Sequence, residues 1–299
     1  MKKQHATFLL AIATTLLVAC NGKDEKADGY GNFEATEITI SAENTGKLMQ
    51  FNVEEGTTIK SGQLIGYIDT IPLALKKAQL HIQKQVISAK SKGVLSQINV
   101  LQAKLKTAQT NKNRIQNLIK DQAGTQKQLD DVEGEIAVLQ NSIRSVEIQN
   151  APVVNELKSL DVQLQQLDDQ IAKSNLINPV EGTVLAKYAE ANEIVTFGKP
   201  LYKIADLSAL ELRVYVSAPQ LASIALGETV TVKIDDANGM TSYNGTISWI
   251  ASEAEFTPKI IQTKEERVAL VYAVKVQVKN DGSLKIGMPA EMWLKPKTN

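Results

Sequence analysis

Nucleophilic and metal chemistry have little to draw on in this chain. It contains two histidines, His5 and His81, and one cysteine, Cys20. His5 and Cys20 both fall in an opening stretch, Met1-Lys-Lys-Gln-His5 followed by the apolar run from Ala6 to Ala19, that reads as a signal peptide. About 14 apolar residues are too few to cross a bilayer, which needs about 20. Cleavage would leave His81 as the one histidine, midway along a basic helix, so Cys/His zinc sites and Ser/His/Asp or Cys/His arrangements are out of reach. Three adjacent carboxylate pairs remain: Asp130-Asp131, Asp168-Asp169 and Asp235-Asp236. Neighbours in a helix point about 100° apart, so the first two read as solvated faces rather than acid/base pairs. The third opens Asp235-Asp-Ala-Asn-Gly239, a loop entering a hairpin with Asn-Gly supplying positive φ; it lacks the spacing and terminal Glu of a calcium loop. No Gly-Lys-Ser/Thr phosphate motif occurs. No catalytic residue, metal ligand or cofactor site is therefore expected, and the chain reads as a non-enzyme.

The opening stretch ends in Leu17-Val18-Ala19-Cys20 and is followed by a polar tail from Asn21 to Gly29. This resembles the lipobox of bacterial lipoproteins, which implies that Cys20 becomes the lipidated first residue of the mature chain. A lone cysteine ending an ordinary signal peptide is the plainer alternative. No disulfide can form within one chain, and no later segment is apolar enough to span a membrane, so anchoring would rest on lipid alone.

The elements that would position any site are dominated by a long helical pair. Across 299 residues the charges balance, 33 basic against 33 acidic, and 43% of residues are hydrophobic. All fourteen aromatics lie outside residues 73–174, a shift that marks domain boundaries. Within that stretch Leu129, Val132, Ile136, Leu139, Ile143, Val146, Asn150, Val153, Leu157, Leu160, Leu164, Leu167 and Ile171 recur at alternating spacings of three and four. A run of mean spacing about 3.5 is a coiled-coil seam. Upstream, Leu73, Leu80, Ile87, Val94, Leu101, Ala108 and Ile115 repeat every seven residues, with Ile98, Leu105 and Ile119 in a patchier second row. Two arms of about 48 residues, rising 1.5 Å each, make a rod of roughly 70 Å. Between them, Gly124 is expected to take the backbone past the first helix end and Thr125 to cap the second.

The segments on either side of the rod match at an offset of 136 residues. Gly46, Ile59, Gly62, Ile65 and Ile68 correspond to Gly182, Val195, Gly198, Leu201 and Ile204. Each half is too small to bury a core, so the two are expected to pair into one sandwich from which the rod emerges as an insertion.

Two half-motifs of lipoyl/biotinyl type, split by a helical hairpin and preceded by a lipobox, resemble the periplasmic adaptors, or membrane fusion proteins of HlyD type, of tripartite efflux and secretion systems. The residues that carry the likeness are Gly46-Lys-Leu, Val53-Glu-Glu-Gly56 through Gly62-Gln-Leu, Asn178-Pro-Val-Glu-Gly182-Thr-Val and Gly198-Lys-Pro-Leu. At the hairpin tip these adaptors often carry Arg, then Leu four residues on, then Ser seven further; Arg114, Leu118 and Thr125 occupy those places here, with Thr for Ser. The resemblance implies an α+β, elongated multi-domain chain: signal peptide 1–19, lipidated linker 20–37, first lipoyl-like half 38–71, α-helical hairpin 72–175, second half 176–206, and a β-barrel with a short tail at 207–299. It implies channel docking through Arg114, Leu118 and Thr125, and a homo-oligomeric ring, hexameric in the family. The partners would be an inner-membrane transporter and a TolC-type outer-membrane channel, with lipid on Cys20 holding the protein at the periplasmic face of the inner membrane rather than the outer. A compact C-terminal end favours an ABC transporter over a proton-driven pump by analogy. The rival readings are a lipid-anchored coiled-coil scaffold of the envelope and a lipoyl or biotin carrier. The carrier's lysine would sit at the turn that the hairpin fills here.

In the last region Leu212–Val216, Thr229–Ile234, Thr246–Ile250, Leu270–Val278 and Ala290–Leu294 read as strands, Ala218–Leu226 as a short helix, and 255–267 as a loop. The first arm, Leu73 to Lys120, holds ten Lys or Arg and no acid, while Gln126 to Ser174 holds nine acids and four bases. Opposite arms attract within a hairpin and between neighbours, which suits a ring; exposed pairs contribute only about 0–1 kcal/mol and so set register more than strength. An exported protein meets no nucleic acid, and the acidic arm cancels the basic field. Folding the hairpin about residue 122 or 123 puts Pro152 opposite Gly93, where a bend or bulge is expected.

Overall fold

The computed structural model describes residues 26–236, 239–256 and 270–294. The expected signal stretch with Cys20, Ala237 and Asn238 of the expected hairpin loop, residues 257–267 of the second expected loop and residues 295–299 lie outside them. The chain forms two compact units, Thr39–Ile204 and a second built from Met1–Ile38 with Ala205–Asn299.

The first unit contains the sandwich and the hairpin. Eight short strands are arranged as two four-stranded sheets: β2 (Glu37–Ser41), β3 (Gly46–Phe51), β4 (Thr58–Ile59) and β5 (Leu64–Ile68) before the hairpin, and β6 (Asn175–Ile177), β7 (Gly182–Lys187), β8 (Ile194–Val195) and β9 (Pro200–Ala205) after it. The sheet orders are β2-β9-β7-β4 and β6-β5-β3-β8, so strands of both halves interleave in each sheet. Neither half has a sheet of its own, and the core they share includes Leu48, Ile59, Ile65, Ile68, Val195, Leu201, Tyr202 and Ile204. The repeat is also visible in the turns. Gly62 and Gly198, one offset apart, both hold positive φ (78° and 82°), which glycine adopts without a Cβ penalty.

The hairpin is α1 (Ile71–Lys120) and α2 (Gln126–Lys173). Pro72 sits in the first turn of α1, where its missing N–H leaves no hydrogen bond unmade, and Asp69 Oδ1 accepts the Ile71 N–H at 2.9 Å. On α2, Val132, Leu160, Leu164 and Leu167 are buried and Leu129, Ile136, Leu139 and Leu157 partly so; on α1, Leu80, Ile87, Val94 and Leu101 are partly buried. These side chains line the interface between the arms, with a cluster of Ile98, Ile143 and Val146 against Val94, Leu101 and Leu105. The ion pairs Lys77–Asp168, Lys84–Asp161 and Lys112–Glu133 cross between arms. All three are symmetric about a point between residues 122 and 123, and Gly93 and Pro152 share that symmetry. Both arms run as unbroken helix through Gly93 and Pro152. At nearly the same height the seam admits a polar pair, Ser91 Oγ donating to Asn150 Oδ1 at 3.3 Å, both residues buried.

The hairpin base is tied to the sheets by Asn44, whose Nδ2 donates to Gln170 O (2.9 Å) and Ser174 Oγ (2.8 Å), and by Ile68 N–H donating to Ser174 O at 2.8 Å.

The second unit is a six-stranded antiparallel barrel. β10 (Ala209–Ser217), β1 (Gly29–Glu34), β15 (Pro289–Trp293), β11 (Thr229–Asp236), β12 (Gly239–Ile250) and β14 (Leu270–Lys279) follow in order, and β14 pairs back onto β10 to close the ring; β13 (Glu255–Phe256) adds to β14. Alternate residues point inward, placing Phe33, Leu212, Val214, Val232, Val274, Val276 and Met292 in the core. The expected linker 20–37 is thus corrected over Gly29–Glu34, which forms a barrel strand. Gly31 fits there because any Cβ would fall 1.8 Å from the Arg213 carbonyl oxygen. The expected helix Ala218–Leu226 shrinks to α3 (Ala218–Leu221), because the chain turns at Ala222 toward Gly227, where φ is 81°. The strand expected to begin at Thr246 begins at Gly239, since the polar residues up to Asn244 pair in full register with β11.

Candidate functional site

Among the described residues no group of three or more His, Cys, Asp or Glu is placed to hold a metal, and no helix is long and apolar enough to cross a membrane. The paired carboxylates are engaged elsewhere: Asp168 with Lys77, Asp169 with Lys173 at 2.8 Å, and Asp130 with the Gln126 amide at 2.8 Å. His81 lies exposed on α1.

The candidate site is the hairpin tip, built by two interlocking helix ends. α1 closes with a Schellman motif: Ala123 N–H donates to Leu118 O at 2.7 Å and Gln122 N–H to Ile119 O at 3.0 Å. The left-handed residue is Gln122 (φ 61°), which corrects the assignment of that turn to Gly124. Gly124 is required for a different reason. A Cβ there would lie 3.1 Å from Ile119 N and 3.2 Å from Leu118 Cβ, so the small residue lets the loop fold back on the helix end.

α2 opens with a capping box. Thr125 Oγ1 accepts the Gln128 N–H at 3.3 Å, and Gln128 Oε1 accepts the Thr125 N–H at 3.0 Å. The Thr125 hydroxyl therefore already acts as an acceptor within the chain, and its own proton is what it can still offer a partner.

Arg114 and Leu118 are one turn apart on α1, so their side chains project from neighbouring positions. Arg114 is exposed and makes no ion pair among the described residues; Leu118 is 41% exposed. At 1.5 Å per residue the six steps from Arg114 to the end of α1 span about 9 Å, so the structure brings Arg114, Leu118 and Thr125 into the last turns of one tip. What this surface offers is a monovalent cation with five N–H donors, an exposed aliphatic side chain and a hydroxyl, carried on two capped helix ends. That combination can meet acceptor groups and an apolar surface. Sequence reasoning missed Gln122, for which no signal exists beyond the helix end itself, since glutamine seldom takes positive φ.

Comparison with known proteins bears on the fold. No family model matches the chain. A UPF0194 membrane protein of Acidithiobacillus ferridurans is 31% identical over 126 residues, which is 42% of this chain and 37% of that protein. The match thus spans little more than a third of that relative. Among solved structures, MacA from Actinobacillus actinomycetemcomitans superposes with a TM-score of 0.55 at 18% identity, covering 88% of this chain and 76% of MacA. The membrane fusion protein Spr0693 from Streptococcus pneumoniae R6 gives 0.53 at 18% identity, covering 90% of this chain and 98% of that one. The chain has the fold of these proteins, a coiled-coil hairpin inserted in a split sandwich and accompanied by a barrel.

Proposed function

We propose that this protein is a periplasmic adaptor that links an inner-membrane transporter to a TolC-type outer-membrane channel, as a lipid-anchored, non-enzymatic subunit of an export system. The observation that carries the proposal is the hairpin tip: a helical pair of about 50 residues per arm, roughly 75 Å by helix rise, ends in an unpaired Arg114, an exposed Leu118 and the capping hydroxyl of Thr125. A reach of that order bridges envelope components, whereas a catalytic pocket needs no such rod. The likeness in fold to a protein described as a membrane fusion protein supports the same reading.

In this reading lipid on Cys20 tethers the chain to the inner membrane, copies of the chain surround the export path in a ring, and Arg114, Leu118 and Thr125 of each copy meet the channel. The transporter, of ABC type in this reading, supplies the energy, and the chain has no nucleotide-binding motif of its own. The segments of the chain follow their roles: anchor and signal to 28, barrel strand at 29–34, sandwich halves flanking the hairpin at 72–175, barrel from 207.

The test is affinity purification of the tagged full-length protein from mildly solubilised membranes, with mass spectrometry of what accompanies it. Recovery of a polytopic transporter and an outer-membrane channel is expected, and Arg114→Asp should lose the channel while retaining the transporter. Recovery of neither, or an Arg114→Asp variant that keeps the same partners as wild type, overturns the docking role and leaves an envelope scaffold as the better reading.

A further inference from the structure

Asp28 marks the point at which the chain enters the barrel from its N-terminal side, and three hydrogen bonds fix it there. Its N–H donates to Met292 O at 2.9 Å, its Oδ2 accepts the Leu294 N–H at 2.8 Å, and its carbonyl accepts from Gln220 Nε2 at 2.8 Å. Eight residue steps separate Asp28 from Cys20. Fully extended, such a segment reaches about 27 Å; as a flexible chain it spans about 16 Å. Because Asp28 is locked, a lipid on Cys20 gains no slack by peeling β1 away from β10 and β15.

The end of the barrel that holds Asp28 differs from the other in what it exposes. β10 finishes there at Ser217 and β15 at Trp293, β11 starts there, and β13 meets β14 there through the pair Phe256 and Leu270. Phe256, Leu226 and Leu270 are 76%, 70% and 55% exposed, whereas Met240 and Ile286, at the opposite end, are 49% and 38% exposed. Just inside the rim the outer wall carries Tyr30 and Tyr215, paired across β1 and β10, and Trp293, one residue past the partner of Gly29. Aromatic rings with a polar edge are the side chains that settle at the boundary between hydrocarbon and water. The Lys233 ammonium lies 4.1 Å from the centroid of the Trp293 ring. Glu255, next to Phe256, is paired with Arg213 at 3.0 Å, and Glu228, two residues past Leu226, accepts the Ala225 N–H at 3.0 Å. Both carboxylates are thus engaged by donors of the barrel itself.

We infer that this end of the barrel rests on the phospholipid surface that holds the Cys20 lipid, with Phe256, Leu226 and Leu270 entering the headgroup boundary and Tyr30, Tyr215 and Trp293 at its level. Three exposed side chains bind a bilayer weakly on their own. On a tether of eight residues the contact becomes intramolecular, at an effective concentration on the order of millimolar, so a weak surface suffices. A lipid chain alone gives reversible attachment, and a second contact with the same membrane makes it stable. The second contact also sets orientation: a barrel held by lipid alone turns freely within the reach of its tether, whereas one seated on this rim keeps the rim toward the bilayer. The inference rests on the lipidated Cys20 of the proposed function, and on neither the transporter nor the channel.

The test uses the full-length protein, purified in detergent and reconstituted into vesicles of phosphatidylethanolamine and phosphatidylglycerol that hold no other protein. Ala225→Cys, beside Leu226, and Ile286→Cys, at the opposite end, each take an environment-sensitive fluorophore, and wild type carried through the same labelling gives the background. Lipids brominated near the headgroup should quench the label at position 225 about twofold and leave the one at 286 unchanged. Phe256→Ser combined with Leu226→Ser and Leu270→Ser should abolish that quenching while circular dichroism and the melting transition hold, since all three side chains are exposed. Equal quenching of both labels, quenching of neither, or quenching at 225 that survives the triple variant overturns the inference. Shielding of position 225 in native membranes but not in these vesicles also overturns it, because the occupant is then a protein. Intact mass at Cys20 separates this surface from the anchor: quenching with Cys20 unmodified keeps the surface and defeats the lipid anchor, and lipid on Cys20 without quenching does the reverse.

Discussion

Tyr202 donates its phenolic hydrogen to Asn178 Oδ1 at 2.8 Å with both residues fully buried. Asn178 Nδ2 is in turn shared among Ile59 O (3.3 Å), Lys60 O (3.0 Å) and Val180 O (2.6 Å). One amide thus joins the second half of the sandwich to the turn after β4 in the first half. The two halves meet across the base of a hairpin of about a hundred residues, so this polar link fixes the pairing that the apolar core alone leaves free to slide.

Burial pushes the Tyr202 phenol up to about 12 from its ordinary value. The raised value sets the sign: an unfolded chain releases this proton near pH 10, the folded one near 12, so the stabilisation is whole below 10 and is lost as pH rises to 12. A shift of this size corresponds to about 2–3 kcal/mol. Denaturant unfolding followed across this window should show the loss in the wild type and a shallower limb in Tyr202→Phe. At neutral pH the same variant should be less stable by about 1–3 kcal/mol, because Asn178 Oδ1 is left buried without a donor. Equal alkaline limbs in the two proteins would defeat the assignment.

The Thr125 capping box makes a separate, local prediction. Thr125→Ala should cost about 0.5–2 kcal/mol in the first turn of α2, and Thr125→Ser little. Hydrogen exchange at the Gln128 amide is the readout: protection should fall severalfold in the Ala variant and persist in the Ser variant. Unchanged protection in Thr125→Ala would show that the cap does not hold the tip.

The two tip residues that exchange roles can be told apart by opposite substitutions. Gln122→Gly relieves a left-handed strain of about 1–2 kcal/mol against a smaller entropic cost, so thermal stability should hold or rise slightly. Gly124→Ala introduces a Cβ against Ile119 and Leu118 and should lower stability by about 1 kcal/mol, the lower end for overpacking. If both substitutions lower the melting temperature equally, the reassignment of the turn to Gln122 is wrong.

Much of this fold was legible because its longest elements obey local rules. The hydrophobic rows of the two arms set which faces meet, and the symmetric ion pairs Lys77–Asp168 and Lys112–Glu133 follow from that register. The split repeat was readable from paired glycines such as Gly62 and Gly198. What escaped has a non-local cause. Gly29–Glu34 reads as linker because its side chains alternate around two glycines, and only the strands on either side, Ala209–Ser217 and Pro289–Trp293, make it a strand. Asn178 opens one of the motifs of the second half, yet no local pattern announces the four partners of its side chain, which lie up to 119 residues away. At the tip, the conspicuous Gly124 drew the turn assignment, yet the positive φ falls on Gln122 because helix closure, not residue type, decides where the chain must reverse.

The polar interruption of the hairpin gives the last prediction. Ser91 and Asn150 put a hydrogen bond into the seam, and Gly93 and Pro152 lie two residues beyond on their respective arms, at one height and both exposed. A buried polar pair at a seam position fixes register at a cost in stability. Asn150→Leu combined with Ser91→Ala should therefore raise hairpin stability while broadening the distribution of distances between spin labels on the two arms; a raised stability with an equally narrow distribution would remove the register role. Pro152 leaves the Ile148 carbonyl without its helical donor, so Pro152→Ala should stiffen this height by on the order of 1–3 kcal/mol. Amides from 148 to 156 should then exchange more slowly, and unaltered exchange there would mean that Pro152 is no point of compliance in the rod.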